Sequence, residues 1–287
     1  MADGSTASIP RTGHPAMLDR RDRFLGLLGT RSVLMGILNI TPDSFSDGGK
    51  FFSLDSAKRQ AEKLGVAGAD IIDVGAESTR PGHTPVAAEE ELARIEPILG
   101  ELTGAIALPF SIDTSKAKVA RRAIELGASV VNDVWGLQRD PAMAGTVAET
   151  GAAAVLMHNR DGIDPDLDIV ADMRRFFDRS LSLAAAAGIP RTHLILDPGI
   201  GFGKSRAQNF TALANLALLK DYNLPILIGV SRKSLLAESS ASPVDTGAVR
   251  TLAANLAAAA NGASIFRIHD VAEHTAAFKV FDAIARR

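Results

Sequence analysis

Eight short apolar runs, each of strand length and each followed by a segment of helical spacing, constrain this chain more than any other feature. The runs are residues 33–38, 71–74, 108–112, 129–131, 153–157, 194–196, 226–230 and 264–268. They are continuously apolar rather than alternating, the pattern of strands buried on both faces in a parallel sheet wrapped by helices. Segments rich in Ala, Leu, Glu and Arg lie between them: 54–66, 87–102, 116–126, 140–150, 167–187, 208–222, 248–260 and 271–285. Glycine follows five of these segments just before the next strand, at Gly68, Gly127, Gly151, Gly188 and Gly262. There it supplies the left-handed residue that ends a helix.

Eight even units match an α/β fold of the (β/α)₈ TIM-barrel type, which typically spans about 250 residues. A doubly wound open sheet is the rival; the number and evenness of the units favour the barrel. Nothing resembles a linker, so residues 31–287 are expected to form a single barrel domain. Residues 1–30 precede it. The first fourteen or so are small, polar and marked by Gly and Pro, and read as a disordered tail. Residues 18–28 mix charged and apolar types and read as a short helix whose Phe24, Leu25, Leu27 and Leu28 cover one end of the fold.

Composition removes several function classes. Of 287 residues, 46% are hydrophobic and 22% charged, and the formal net charge is -2. That balance gives no basic footprint for nucleic acid or an anionic membrane, so neither is expected as a partner. The chain has no cysteine, which excludes disulfides, thiolate metal sites and thiol nucleophiles and suits a reducing, cytoplasmic setting. The first residues lack the basic and apolar regions of a secretory signal, and no apolar run is long enough to span a bilayer.

In a barrel the site forms at the carboxyl ends of the strands. Every run here gives way to polar residues: Asn39; Asp73, then a loop carrying Thr79, Arg80 and Pro81; Asp113-Thr114-Ser115; and Asn132-Asp133. After these come His158-Asn159-Arg160; Asp197 with a glycine-rich turn to Lys204; Ser231-Arg232-Lys233-Ser234; and Arg267-Ile268-His269-Asp270. Each residue alone has an ordinary role. Asn, Asp and Ser cap helices, and Asp140 and Thr192 are read that way. A lone His158 or His269 reads as a core residue, and Arg267 can pair with Asp270. Taken together, the eight polar strand ends converge on one pocket. The first run also leads into a polar loop, 41–49, longer than any tight turn needs and suited to reach over the strand end.

The set divides in two. Asp113, Asn132 and Asp197 offer acceptors and one amide near the barrel axis, suited to a ring rich in N–H donors such as an aminopyrimidine. Lys233 can bond a ring carbonyl or nitrogen. Arg80, Arg267 and His269, with Thr79 and Asn39, suit phosphate oxygens, and Asn39 or Asp47 suits a Mg²⁺ that bridges a diphosphate. The glycines at 199, 201 and 203 lack dinucleotide-fingerprint spacing. Together the two halves suggest a flat heterocycle with a phosphorylated arm.

From about Arg31 onward the chain resembles the dihydropteroate synthase family. The matching blocks are GILNITPDSFSDGG (36–49), DIIDVGAESTRPG (70–82), SIDT (111–114), NDV (132–134), DPGIGFGK (197–204), GVSRKS (229–234) and RIHDV (267–271), in family order. The resemblance implies a transferase that condenses 6-hydroxymethyl-7,8-dihydropterin diphosphate with 4-aminobenzoate, by early loss of diphosphate and attack of the aniline nitrogen on a methylene cation. It implies that Asp113, Asn132, Asp197 and Lys233 hold the pterin. Asn39, Thr79, Arg80, Arg267 and His269 would bind the diphosphate, with Mg²⁺ on Asn39. Phe45, Pro81, Lys233 and Ser234 would frame the aminobenzoate, with Asp47 steadying the cation. It also implies closing loops at 41–49 and around Thr79-Arg80-Pro81, sulfonamides as competitors, and a homodimer through the last helices.

Segment 235–249 matches only loosely, and Arg250-Thr251 stands where an Arg followed by Gly-Thr or Gly-Ser is expected. The first thirty or so residues have no family counterpart. A pterin-binding methyltransferase domain would share the barrel and the Asp/Asn set but has no need of the TPDSF loop, the TRPG loop or the SRK triplet. A pterin-binding protein without turnover would not need Lys233, Arg267 and His269.

Overall fold

A computed structural model of the chain describes residues 14–40, 50–77, 86–236 and 247–285, with backbone only for 50–53. Eight strands form one parallel sheet: β1 (Val33–Asn39), β2 (Ile71–Gly75), β3 (Phe110–Asp113), β4 (Val130–Asp133), β5 (Ala153–Met157), β6 (Leu194–Asp197), β7 (Leu227–Ile228) and β8 (Ile265–Ile268). Their order is β6-β5-β4-β3-β2-β1-β8-β7. A bridge between Leu196 and Ile226 joins the two ends, with Leu196 N–H donating to the Pro225 carbonyl at 2.9 Å. The sheet therefore closes into a (β/α)₈ barrel, and the open-sheet alternative falls. Around it run α2 (Lys50–Ala67), α3 (Ala88–Ala105), α4 (Ala117–Glu125), α5 (Met143–Thr150), α6 (Ile169–Ala186), α7 (Arg206–Ala214), α8 (Gly247–Ala260) and α9 (Val271–Ala285), while α1 (Pro15–Leu27) precedes β1.

Side-chain alternation explains why each strand reads as unbroken apolar sequence. Val33, Met35, Ile71, Val130, Ala153, Val155, Ile195, Leu227 and Ile265 form one buried cluster inside the barrel. Their neighbours Leu34, Leu38, Ile72, Val74, Phe110, Ile112, Val131, Ala154, Leu156, Leu194, Leu196, Phe266 and Ile268 belong to a second cluster beneath the helices. Both faces are buried, so both are apolar. The inward series changes character within one step of two residues: Ile71 is followed by Asp73, Val130 by Asn132, Ile195 by Asp197 and Ile265 by Arg267. The amino-terminal half of the barrel is thus greasy and the carboxyl-terminal half polar.

Several boundaries differ from the apolar runs. β1, β3 and β6 each extend one residue further, to end on Asn39, Asp113 and Asp197, and β4 extends to Asp133. β3 starts at Phe110 because Pro109 has no N–H for the ladder. β7 is cut to two residues, because Ile226 bridges to β6 instead. The segment expected as one helix over 208–222 breaks at Asn215, whose side chain bonds the Thr211 carbonyl; it continues as a 3₁₀ stretch, Leu216–Tyr222. The five glycines at helix ends all take positive φ.

Helix α1 closes the amino-terminal end of the barrel. Phe24 is fully buried against the inner cluster, with Leu25, Leu27 and Leu28 packed beside it. Arg20 donates to the Thr103 carbonyl and Arg21 to the Gly151 carbonyl, both at 2.5 Å, tying α1 to the ends of α3 and α5. Truncating Phe24 would open a cavity under the axis. Phe24→Ala should lower the unfolding free energy in urea by about 3–5 kcal/mol; a loss below about 1 kcal/mol would show that this floor adds little to the barrel.

Candidate active site

The polar layer at the strand ends centres on Arg267 of β8. Its Nε donates to Asp73 Oδ2 at 2.6 Å and its Nη2 to Asp113 Oδ2 at 2.7 Å. Asp73 is completely buried and Asp113 nearly so. Ser111 donates its hydroxyl to Asp73 Oδ1, and the Asn132 amide donates to Asp73 Oδ2 at 3.3 Å. Four strands, β2, β3, β4 and β8, thereby meet through one charged knot. Burial opposes the Arg267 charge, but Asp73 and Asp113 outweigh it and hold the guanidinium above its ordinary value. Burial pushes the Asp113 carboxyl up to about 7, with Arg267 opposing and Asp73 adding to the rise. Asp113 Oδ1 and Asn132 Oδ1 are buried acceptors that receive no hydrogen bond among the described residues.

β6 supplies the opposite wall. Asp197 is buried, and its Oδ1 accepts from Gly199 N–H at 2.7 Å; burial nevertheless raises its pKa. Gly199 has φ +64, and a Cβ there would stand 1.8 Å from the His158 carbonyl oxygen, so only glycine fits. Lys204 fastens the same turn by donating to the carbonyls of Gly199 at 2.8 Å and Phe202 at 3.1 Å. The turn in turn seats Lys233: its Nζ donates to the Ile200 carbonyl and lies 4.4 Å above the Phe202 ring. Burial draws the Lys233 ammonium down to about 8, against the pull of Asp197. The glycine-rich turn is therefore a mount for Lys233.

The Ser231-Arg232-Lys233 corner is held from two sides. Ser231 Oγ bonds His269 Nδ1 at 2.9 Å and accepts from His269 N–H at 3.1 Å, which orients the imidazole. Arg232, in the left-handed region at φ 56, donates its N–H to Thr251 Oγ1 at 3.1 Å, and its guanidinium pairs with Asp270. Arg232 thus takes Asp270, the ordinary partner that the sequence left open to Arg267. Thr251 belongs to α8, so the helix that departs from the family pattern does brace the site. Asn39 ends β1 with its side chain exposed; its Oδ1 and Asp113 Cβ lie 3.8 and 3.6 Å from where a Cβ on Gly75 would be. Ser234 is exposed at the start of a short helical turn, Ser234–Leu236.

Phe45, Asp47, Thr79, Arg80, Pro81 and both loops expected to close lie outside the described residues. Four other strand-end or capping residues resolve. His158 is a fully buried core residue, edge-on to Phe176 at 4.9 Å and bonded to Asp172 at 3.2 Å. Asp133 faces away from the axis, accepts from Trp135 and Leu137 N–H, and shapes the turn after β4. Asp140 serves two helix starts: its Oδ1 accepts from Ala142 N–H at 2.9 Å in the turn that enters α5, and its Oδ2 from Ala117 N–H at 2.8 Å at the start of α4; Thr192 is interior to a 3₁₀ turn, Arg191–His193, and makes no cap bond among the described residues. The site residue missed from the sequence is Asp73. Its signal was parity: it stands two positions past Ile71, on the same face.

Residues 35–269 match the family model for pterin binding enzymes. A dihydropteroate synthase of Clostridium beijerinckii is 44% identical over 261 residues, covering 91% of this chain and 97% of that protein. A solved Clostridium difficile dihydropteroate synthase, crystallised in the presence of pteroic acid, superposes with TM-score 0.85 at 44% identity, over 90% of this chain and 98% of that one. The Yersinia pestis dihydropteroate synthase with a sulfonamide drug superposes with TM-score 0.82 at 40% identity, over 90% and 96%.

Removing Arg267 would leave two buried carboxylates unpaired. Arg267→Met should destabilise the fold by about 3–5 kcal/mol at pH 8. Unpaired carboxylates bind protons more tightly in the native state, so the loss should shrink at pH 5. Urea unfolding at the two pH values checks this; equal losses would mean the ion pairs do not govern this layer.

Proposed function

The chain belongs to the pterin-binding enzymes, among their dihydropteroate synthases, and from that premise we propose how its own residues run the reaction. The reaction joins 6-hydroxymethyl-7,8-dihydropterin diphosphate to 4-aminobenzoate, giving 7,8-dihydropteroate and diphosphate. The observation that carries the assignment of roles is the pair of undonated buried acceptors, Asp113 Oδ1 and Asn132 Oδ1, on the rim shared with Asp197 and Lys233. A buried acceptor without a donor costs about 1–3 kcal/mol. A pterin supplies ring and amino N–H groups that relieve this, with Asp197 accepting a further one and the Lys233 ammonium donating to the ring.

Arg267 positions Asp113 through Nη2; its Nη1 makes no hydrogen bond among the described residues and is the group left for a phosphate oxygen. His269, held by Ser231, and Asn39 stand with it, and Thr79 and Arg80 complete the diphosphate set. The C–O bond breaks with its electron pair leaving on the diphosphate, where Arg267 and His269 stabilise the growing charge. The aniline nitrogen then attacks the methylene cation and loses a proton. Phe45, Pro81, Lys233 and Ser234 would frame the aminobenzoate, with Asp47 steadying the cation and the loops at 41–49 and around Thr79-Arg80-Pro81 excluding water.

No group of three or more His or acidic residues gathers into a metal cage among the described residues. Mg²⁺ often takes one or two protein oxygens and completes its shell with substrate phosphates and water, which fits the single amide oxygen of Asn39. When bound it would neutralise diphosphate charge. Sulfonamides compete for the aminobenzoate place, in keeping with the complex of the Yersinia pestis relative. Exposed Val249 on α8 and Val280 and Ile284 on α9 support a homodimer through these helices, which size-exclusion chromatography with light scattering tests. No described helix is long and apolar enough to cross a membrane. A cytoplasmic location is proposed on separate ground, the chain's lack of cysteine, which suits a reducing compartment.

With both substrates and Mg²⁺, diphosphate release should depend on 4-aminobenzoate, and absence of that dependence would sink the assignment. Lys233→Ala should lose most turnover, while Asp113→Asn should weaken pterin binding first. The ionised Asp113 and the protonated Lys233 are the binding forms, so kcat/KM for the pterin should fall below about pH 7 and above about pH 8. Asp113→Asn should flatten the acid limb; an unchanged acid limb would assign it to another group.

A further inference from the structure

A second cavity, of about 680 Å³, opens beside the barrel mouth between the turn after β4, the turn after β5 and the outer side of α6. Its size lies within the roughly 300–1,000 Å³ of ligand sites. Four arginines line it, Arg139, Arg160, Arg175 and Arg179, against two carboxylates, Asp161 and Asp172. Trp135 and Phe176 form its half-buried aromatic walls.

The counter-charge is spread thin. Asp172 alone meets Arg160 at 3.6 Å, Arg175 at 3.0 Å and His158 at 3.2 Å. Asp161 meets only Arg139, at 3.4 Å, with both side chains largely exposed, where a pair contributes little. Arg179 makes no ion pair among the described residues. Arg160 Nη1 is shielded from water and makes no hydrogen bond among the described residues, its one ion-pair contact being the long 3.6 Å approach to Asp172 Oδ2. The Arg139 guanidinium carbon sits 4.3 Å from the Trp135 ring centroid, a cation–π pair against which an aromatic heterocycle can stack. A solvated network of ion pairs would need neither the shielded N–H nor the aromatic walls.

We propose that this cavity is an accessory site for a phosphorylated planar heterocycle, its ring against the Arg139–Trp135 pair and its phosphates between Arg160, Arg175 and Arg179. Two sources share that chemistry: a nucleoside diphosphate, or a second molecule of the enzyme's own pterin diphosphate, the latter resting on the reaction proposed above. Guanidinium forks match phosphate oxygens in pairs, and none of the cavity's residues belongs to the set that holds the pterin at the axis.

Trp135 is the only tryptophan in the chain, so its fluorescence reports on this cavity directly. Titrating adenosine diphosphate and, separately, inorganic diphosphate needs no turnover, so this test fails or succeeds apart from the proposed reaction. Saturable quenching is expected, weakened by salt, with the nucleotide midpoint at least about fivefold below that of inorganic diphosphate because of stacking. The Arg175→Glu/Arg179→Glu double variant, both positions exposed, should raise the midpoint at least about tenfold with unchanged circular dichroism and dihydropteroate turnover. Should it misfold, Arg179→Gln serves, with a smaller shift in the same direction. Dihydropterin diphosphate quenching Trp135 in Asp197→Asn, with adenosine diphosphate inert, would assign the site to the enzyme's own substrate; the reverse would assign it to nucleotides. Non-saturating quenching by both heterocycles, or midpoints that ignore the arginine changes, would overturn the site. Equal midpoints for nucleotide and inorganic diphosphate would overturn its heterocycle half. A signal lost in Asp197→Asn but kept in the arginine variant would return it to the barrel mouth.

Discussion

Holding the half-buried Arg267 between the buried carboxylates of Asp73 and Asp113 is the constraint on which the carboxyl-terminal half of the barrel depends. Such a charge taken out of water is tolerable only when paired and hydrogen-bonded, and the net gain in stability over an apolar filling is small or negative. What the arrangement secures is position. One guanidinium from β8 fixes a carboxylate on β2 and another on β3, and Asp73 also takes a bond from the amide of β4. Asp113 and Asn132 are thereby held with one acceptor each that meets no donor among the described residues. A polar layer that satisfied itself fully would leave less for a ligand to gain.

The same economy shows across the barrel. Lys233 is held by the carbonyl of Ile200 and the face of Phe202, and that turn exists in its present shape because Gly199 tolerates both positive φ and the closeness of the His158 carbonyl. His158 contributes packing and a carbonyl while its ring stays in the core. Asp172, its partner, faces the arginine-lined cavity outside α6, so the second site and the wall of the first share a scaffold without sharing ligand-binding residues.

Much of the fold was legible in the chain. Unbroken apolar runs declared strands buried on both faces, their number declared a barrel, and glycines after helical segments marked helix ends. The polar residues at the strand ends were legible as a set, but their individual duties were not. Asn132 and Asp133 are adjacent and equally polar; only the pleat sends one to the axis and the other to the turn. Asp270 had two arginines in reach by sequence, and the backbone of Arg232 in the left-handed region decided which one took it. Asp73 stood in view after the second run, yet its role required knowing that Ile71 faces inward. Thr251 lay in the segment where the family pattern fades, and its bond to the Arg232 backbone joins residues brought together only by folding.

By itself, then, the sequence determined the alternation of strands and helices, the polarity of the strand ends and the absence of cysteine chemistry, because each is set by local pattern or composition. Tertiary structure alone decided which charges pair, which buried acceptors stay undonated among the described residues, and that four arginines from three separate segments line one cavity with a tryptophan. Those facts depend on distances between residues far apart in the chain, and closing the barrel sets those distances.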